Sequence, residues 1–359
     1  MKRCLYCYQP LKDYKQDAAT IMAGNEKVIV PVKFLEKLKD LSEKEQEKIL
    51  ADEVYDKLLN KGNPEYHDTC VKKMFGTRQA PVVPYSLDEM AKLAKQVIER
   101  SVSVPGVQPK LSMSLEDQVN KENRLTIVGA LGGSYIFKPP SSEYPEMPVN
   151  EHLTMLMTDI FGIRTAQSSL IRLQSGELSF IVKRMDRTPK GEKIHMQDMY
   201  QLSESYDKYK GTMERIAKVL DEYSAHPDLD KVNLLELAVF SFITGNADMH
   251  LKNFSLIELN EEWKLAPAYD LLNTKIVLRE DQEEMALHMD GKKSGFRRKN
   301  FIRFGNHIGL GQQQTETAID KFISRQDKAL DLISISFLSD EFKEKYSVLF
   351  KDRVKRITS

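Results

Sequence analysis

The chain of 359 residues contains no uninterrupted apolar run of the roughly 18 to 20 residues that a membrane-spanning helix requires. Its start, Met1-Lys2-Arg3-Cys4, lacks the apolar core of a signal peptide, so a cytoplasmic location is expected. Cysteine is scarce: three residues do not make the even, dense framework of a secreted disulfide scaffold. An excess of one charge is missing as well. Lys and Arg total 53 and Asp and Glu total 53, so no global field draws the chain to nucleic acid or anionic lipid. Internal repeats and low-complexity stretches are also lacking. What is present is an ordinary globular composition, 41% hydrophobic, long enough to bury more than one core.

Three segments follow from the patterning, at residues 1–80, 81–190 and 191–359. In the first, Lys33 to Leu59 carries Phe34, Leu35, Leu38, Leu41, Ile49, Val54 and Leu58 at mostly helical spacing, predicting one or two amphipathic helices. Pro81, Pro84 and Tyr85 mark a connector, after which Ser86 and Glu89 fit a capping box opening a helix through Glu99. Short apolar runs at Leu125 to Val128, Tyr135 to Phe137, Ser168 to Leu173 and Phe180 to Val182 predict strands, interrupted by one helix from Asn150 to Phe161. Beyond Gln197 the periods lengthen to helical, at Met213 to Tyr223, Leu234 to Thr244 and Thr315 to Ile335, with a short strand pair near Ser255 to Leu265. Strands first and helices afterwards predict an α+β chain with a strand-rich lobe followed by a helical lobe.

The sharpest motif is Gly245-Asn-Ala-Asp248-Met-His250-Leu-Lys252-Asn253, an acid followed five positions later by an amide, just after an apolar helix. A kinase catalytic loop has this spacing: the Asp accepts or orients a nucleophilic hydroxyl, and the Asn lends its carbonyl oxygen to a metal that bridges phosphates. Seventeen residues on, Tyr269-Asp270 offers a second metal-binding carboxylate, and magnesium favours such hard oxygen ligands. Upstream, Lys138 ends an apolar strand where it could meet phosphates, and Glu151 follows at a spacing suited to holding it. Each residue alone has a plainer reading: a capped loop for Asp248 to Asn253, a solvated strand end for Lys138, a helix-dipole residue for Glu151. Their order argues for phosphoryl transfer.

At this point the chain resembles the HipA-type Ser/Thr kinases, toxins of bacterial toxin–antitoxin systems. The resemblance spans about residues 86–350 and rests on Ser103-Val-Pro-Gly-Val-Gln-Pro-Lys110, Ile136-Phe-Lys138, Asn150-Glu151, Val182-Lys-Arg-Met-Asp186-Arg187, the loop Asp248 to Asn253 with His250 and Lys252 inside it, and Tyr269-Asp270. It implies a two-lobed protein-kinase-like fold, with Asp248 as catalytic base, Asn253 and Asp270 as magnesium ligands and Lys138 as the lysine on the ATP phosphates. Pro105, Gly106, Val107, Gln108, Pro109 and Lys110 then resemble the phosphate loop, Lys183, Arg184 and Met185 the adenine hinge, and Asp186 the ribose contact. Lys183 stands where a glutamate is expected, which implies adenine contact through backbone groups. Ser103 falls at the family's inhibitory autophosphorylated serine, with Ser101 two positions earlier. A phosphate there would add about two negative charges beside ATP; the plain alternative is a pair of ordinary loop serines. The resemblance further implies a protein target in translation, of the aminoacyl-tRNA synthetase class, and a HipB-like helix-turn-helix antitoxin through which DNA is met only indirectly. A catalytically silent kinase fold serving as a binding module, and a small-molecule kinase, are the competing readings.

Cys4-x-x-Cys7 and His67-x-x-Cys70 together supply three thiolates and one imidazole, the donor set of a structural tetrahedral zinc site in a zinc-ribbon-like domain with a long insertion. A metal-free aromatic core of Tyr6, Tyr8, Tyr14, Tyr66 and Phe75, or a redox pair with a bystander histidine, are the alternatives. Arg297-Arg298-Lys299 and the basic tail read as solvated faces.

Overall fold

The computed structural model describes residues 3–11, 18–23, 26–31, 65–100, 110–117, 123–128, 132–140, 143–144, 146–277 and 282–358. The helices expected between Lys33 and Leu59, and the loop residues Ser101, Ser103, Pro105, Gly106, Val107, Gln108 and Pro109, lie outside these. The chain divides into two compact units, Met1–Val82 with Leu115–Leu125, and Val83–Ser114 with Thr126–Ser359. Of the two lobes expected at residues 81–190 and 191–359, residues 81–82 and 115–125 fall in the first unit and the rest in the second.

In the first unit an antiparallel hairpin joins β1 (Ala18–Ala23) to β2 (Glu26–Pro31). A tight turn closes over the N-terminal cysteines: the Tyr8 N–H donates to the Cys4 carbonyl at 2.9 Å and the Cys4 N–H to the Gln9 carbonyl at 3.0 Å. The Leu5 N–H reaches the Glu65 carbonyl at 2.9 Å, bringing in α1 (Asp68–Phe75), which stops at Gly76 in the left-handed conformation. Leu5, Tyr8, Tyr66, Val71, Met74 and Phe75 are buried, and the rings of Tyr66 and Phe75 meet edge to face. An aromatic core and a cysteine cluster thus coexist.

The second unit opens with α2 (Leu87–Arg100), whose capping box forms as expected: the Ser86 N–H donates to Glu89 Oε2 at 2.7 Å and the Glu89 N–H to Ser86 Oγ at 3.3 Å. A five-stranded sheet follows in the order β4-β3-β5-β7-β6, made of β3 (Leu111–Asp117), β4 (Asn123–Ile127), β5 (Tyr135–Lys138), β6 (Ser168–Arg172) and β7 (Leu178–Lys183). Strand β3, whose Leu111, Met113 and Leu115 alternate, is an addition to the strands predicted. In β5 the alternation buries Tyr135 and Phe137, and antiparallel pairing sets Lys138 opposite Phe180 of β7. Helix α3 (Met147–Phe161) packs on β6 and β7 and is buried on nearly every side, which its apolar composition permits.

The helical part is built around α6 (Pro227–Thr244), contacted by α5 (Met213–Tyr223), α7 (Arg298–His307), α8 (Gln312–Ser324) and α10 (Asp340–Thr358). Phe161 of α3 stacks on Phe322 of α8 at 4.8 Å and meets Phe240 of α6 at 5.9 Å, so one aromatic cluster ties the helices to the sheet. The predicted helix Thr315 to Ile335 is two helices, α8 and α9 (Gln326–Ile335), broken where the Arg325 backbone departs from helical angles, at φ −109° and ψ +6°; its guanidinium donates to the Ile160 carbonyl at 2.8 Å. The expected strand pair, β9 (Ser255–Leu259) and β10 (Glu262–Leu265), gains a third strand, β8 (Met196–Asp198), which runs into the short helix α4 (Met199–Leu202). Among the described residues no helix is long and apolar enough to cross a membrane.

Candidate active site

Helix α6 ends at Gly245 with φ of +70°, and a Cβ there would come within 2.8 Å of Asn273 Oδ1, so only glycine fits the turn that launches the next loop. The loop is then fixed from both sides. The Asp248 N–H donates to Asn246 Oδ1 at 3.2 Å, the Ala247 N–H to Thr274 Oγ1 at 3.0 Å, and the Thr274 N–H to the Gly245 carbonyl at 3.1 Å. A short turn of 3-10 helix, Leu251–Asn253, carries Asn253 back so that its Nδ2 donates to the Asp248 carbonyl at 2.9 Å. That bond uses the amide nitrogen and leaves Oδ1 as the atom able to meet a cation.

The acid expected downstream lies against the expected lysine. Asp270 adopts a left-handed backbone, φ +57°, an uncommon state that Asp tolerates better than most residues. Its Oδ1 pairs with Lys138 Nζ and its Oδ2 with Lys110 Nζ at 2.8 Å. Lys138 also meets Glu151 Oε1 at 2.6 Å, and both side chains are buried. Asn150, one residue before Glu151, locks this arrangement: its Nδ2 donates to the Asn273 carbonyl at 2.8 Å and its Oδ1 accepts the Asn273 N–H at 2.9 Å. One turn of α3 thus positions the lysine through Glu151 and the acid segment through Asn150.

The electrostatics follow from burial and partners. Burial raises the proton affinity of Asp270, but Lys110 and Lys138 overcome it and hold the carboxyl well below the usual carboxylate range. Burial also opposes the charge on Lys138, and Asp270 and Glu151 outweigh it, keeping the amine protonated. Glu151 goes the other way: burial pushes its carboxyl up to about 7, Lys138 opposes and Asp270 adds to the rise. Its Oε2 is buried without a partner.

Two groups at Asp248 carry no signal in the sequence. Tyr209, 39 positions earlier, donates its hydroxyl to Asp248 Oδ1 at 2.9 Å. Lys208 Nζ lies 2.9 Å from His250 Nε2, and burial favours the neutral imidazole of His250. Tyr269 donates its hydroxyl to the Lys252 carbonyl at 2.8 Å and lies 2.6 Å from Ser255 Oγ, while Lys252 sits over the Tyr200 ring. At the far end of β7, Lys183 and Arg184 donate their N–H groups to the Gln167 and Ser134 carbonyls. Asp186 is gripped by Arg184, at 2.9 and 2.7 Å, and by Arg187 at 2.5 Å, and these guanidiniums lower its carboxyl against the opposing effect of burial. Met185 lies in the turn between Arg184 and Asp186.

In the first unit, the ligand atoms of Cys4, Cys7, His67 and Cys70 all lie within 4.8 Å of one another. His67 Nδ1 is 3.4 Å from Cys7 Sγ and 3.9 Å from Cys70 Sγ. Tetrahedral zinc would set sulfur and nitrogen roughly 3.6 Å apart. His67 Nε2 is 3.1 Å from the Pro10 carbonyl, a bond that puts the proton on Nε2 and leaves Nδ1 as the donor to a metal.

Residues 102–330, well over half of the chain, match the family model of the HipA-like C-terminal domain. The chain belongs to the HipA-like kinase family. It is 26% identical over 292 residues to a Haemophilus influenzae protein named provisionally as a kinase, covering 72% of this chain and 82% of that protein. It is 26% identical over 211 residues to the serine/threonine-protein kinase toxin HipA of Shewanella oneidensis, covering 53% of this chain and 47% of the toxin, so it spans about half of that relative. In fold it is similar to the Shewanella oneidensis HipA chain solved with HipB and operator DNA, with a TM-score of 0.61 at 23% identity over 75% of this chain and 71% of that one.

Proposed function

We propose that this HipA-like chain is an ATP- and magnesium-dependent protein serine/threonine kinase acting as the toxin of a toxin–antitoxin system. The observation that carries this is the convergence of Lys138, Glu151 and Asp270 beside a loop that presents Asp248 and Asn253. In the reaction Asp248 takes the proton of the acceptor hydroxyl and orients its oxygen, while Lys138, held by Glu151, directs its ammonium at the phosphate oxygens. Asn253 and Asp270 would hold magnesium, and their chemistry fits it: one amide oxygen and one carboxylate that its surroundings keep ionised. Bound there, the metal would neutralise charge on the phosphates. The hinge residues Lys183 to Met185 and the carboxylate of Asp186 belong to the nucleotide side of this reading.

The named toxin among the relatives supports the toxin role, and the HipB-bound neighbour supports an antitoxin partner; the phosphorylated target, a translation component of the aminoacyl-tRNA synthetase class, is proposed on the motif resemblance alone. Self-modification at Ser101 or Ser103 would regulate the enzyme. Incubation with labelled ATP and magnesium tests the reading. The wild type is expected to label itself within the 101–103 segment and Asp248→Asn protein is not; two unlabelled proteins that bind no ATP leave the silent binding module as the answer.

For the first unit we propose a structural zinc ion on Cys4, Cys7, Cys70 and Nδ1 of His67, supported by the near-tetrahedral spacing of the four donors. Metal analysis of gently purified protein is expected to return one zinc per chain, lost in Cys4→Ser; zinc-free wild type refutes the site.

A further inference from the structure

The segment before α5 arches onto the catalytic loop and is fixed there. The Leu251 N–H donates to the Lys208 carbonyl at 3.1 Å, and the Tyr209 N–H to Asp207 Oδ1 at 2.9 Å. A Cβ on Gly211 would meet the Leu251 side chain at 3.1 Å, so the segment lies close against the loop. The Tyr209 ring packs edge-on against His250 at 5.1 Å and lies under the Lys208 ammonium at 4.8 Å. These contacts aim one hydroxyl at one carboxylate oxygen, Tyr209 Oη to Asp248 Oδ1. Yet the side chain is 42% exposed and its neighbour Tyr206 is wholly so, so nothing buries the contact irreversibly.

A phosphoacceptor hydroxyl must make the same bond, within about 2.6–3.2 Å of the catalytic base. We propose that Tyr209 is an acceptor mimic that caps Asp248 and is displaced when an acceptor hydroxyl enters, so that the resting enzyme does not transfer phosphate to water or to chance hydroxyls. The inference rests on the kinase reading of Asp248 and adds a positioning residue to it. The cap also sets a requirement on the acceptor: it must present its hydroxyl on a segment that displaces the 205–211 arch, which a protein loop does and a water molecule does not. Tyr206, wholly exposed on the arch itself, is a handle for such a segment.

Tyr209→Phe keeps the ring on His250 and removes only the capping bond. Phosphate release from Mg·ATP, without added acceptor, is expected to rise about tenfold in this variant, the ratio set by losing one hydrogen bond to a charged group. Nitration of Tyr209, read by mass spectrometry against Tyr206 as an internal control, reads the capping bond directly. Tyr209 is expected to nitrate several-fold faster in Asp248→Ala protein, which has no acceptor at that position, than in the wild type, with the Tyr206 rate the same in both. ATP turnover that Asp248→Asn abolishes but Tyr209→Phe leaves unchanged or lowers overturns the cap alone, as does a Tyr209 nitration rate that Asp248→Ala leaves unchanged. No turnover by any of the proteins overturns the kinase reading and the cap with it.

Discussion

Replacing Lys138 by methionine tests the charge arrangement on which the site depends. The substitution keeps the length and the apolar stem but leaves Glu151, 1% exposed and with Oε2 already unpartnered, without its cation. Removing one partner of a buried ion pair costs about 3–5 kcal/mol. In a unit of this size about 1 kcal/mol corresponds to roughly 2–4 °C of melting temperature, so a fall on the order of 10 °C is expected. The loss depends on pH, and its sign follows from the shifts. The Lys138 amine is raised above its unfolded value, so its own contribution is fully present below the unfolded value and constant between pH 6 and 8. The Glu151 carboxyl is already raised to about 7 by burial, and without Lys138 it rises further. At pH 6 the variant therefore folds with Glu151 protonated and neutral, whereas at pH 8 it must bury a charge or take up a proton against the solution. Differential scanning calorimetry at the two pH values is expected to show a larger loss for Lys138→Met at pH 8. Equal losses at both, or a fall below about 2 °C at pH 8, would refute the claim that these buried charges compensate one another.

Asp248→Asn is expected to lower phosphoryl transfer about 10²- to 10⁴-fold with the melting temperature moved by no more than a degree or two, since the residue is only partly buried and its backbone bonds survive; radiometric assay and calorimetry read the two. Gly245→Ala should destabilise by about 2–4 kcal/mol, because its φ of +70° strains an alanine and Asn273 Oδ1, held by the Lys275 and Ile276 N–H groups, cannot retreat; a denaturant midpoint equal to wild type would contradict this. Chelation of zinc from the wild type is expected to deprotect amides of residues 65–76 in hydrogen exchange, with no such change in Cys4→Ser protein that carries no metal to remove.

Much of the site could be read along the chain because kinase chemistry constrains residue type and order. An Asp and an Asn five apart, an acid further on, a strand-end lysine and a helical glutamate are a pattern that order alone makes improbable by chance. The cysteine and histidine pairs declared themselves by spacing in the same way, although 60 positions separate Cys7 from His67 and only the fold brings their ligand atoms to 3.4 Å. The capping box at Ser86 and the helix Met213 to Tyr223 were legible because caps and periodicity are local properties.

What the sequence left unsaid depends on contacts between distant residues. Strand β3 carries a strand signal in the alternation of Leu111, Met113 and Leu115, and only its register depends on pairing with β5. The break between α8 and α9 falls at Arg325, whose guanidinium bonds to the end of α3, a contact 165 positions away. The same reason hides Tyr209: a tyrosine among Ser205, Tyr206, Asp207 and Lys208 looks like any surface loop until the fold lays it on Asp248. Sequence by itself pointed to the chemistry proposed for the chain, since that is written in side-chain types and their order. Only the tertiary structure decided how the charges are balanced, with Asp270 shared by two lysines, Glu151 holding one of them from a buried helix, and the Tyr209 phenol laid on the Asp248 carboxylate. Those are distances, and distances between remote residues exist only once the chain is folded.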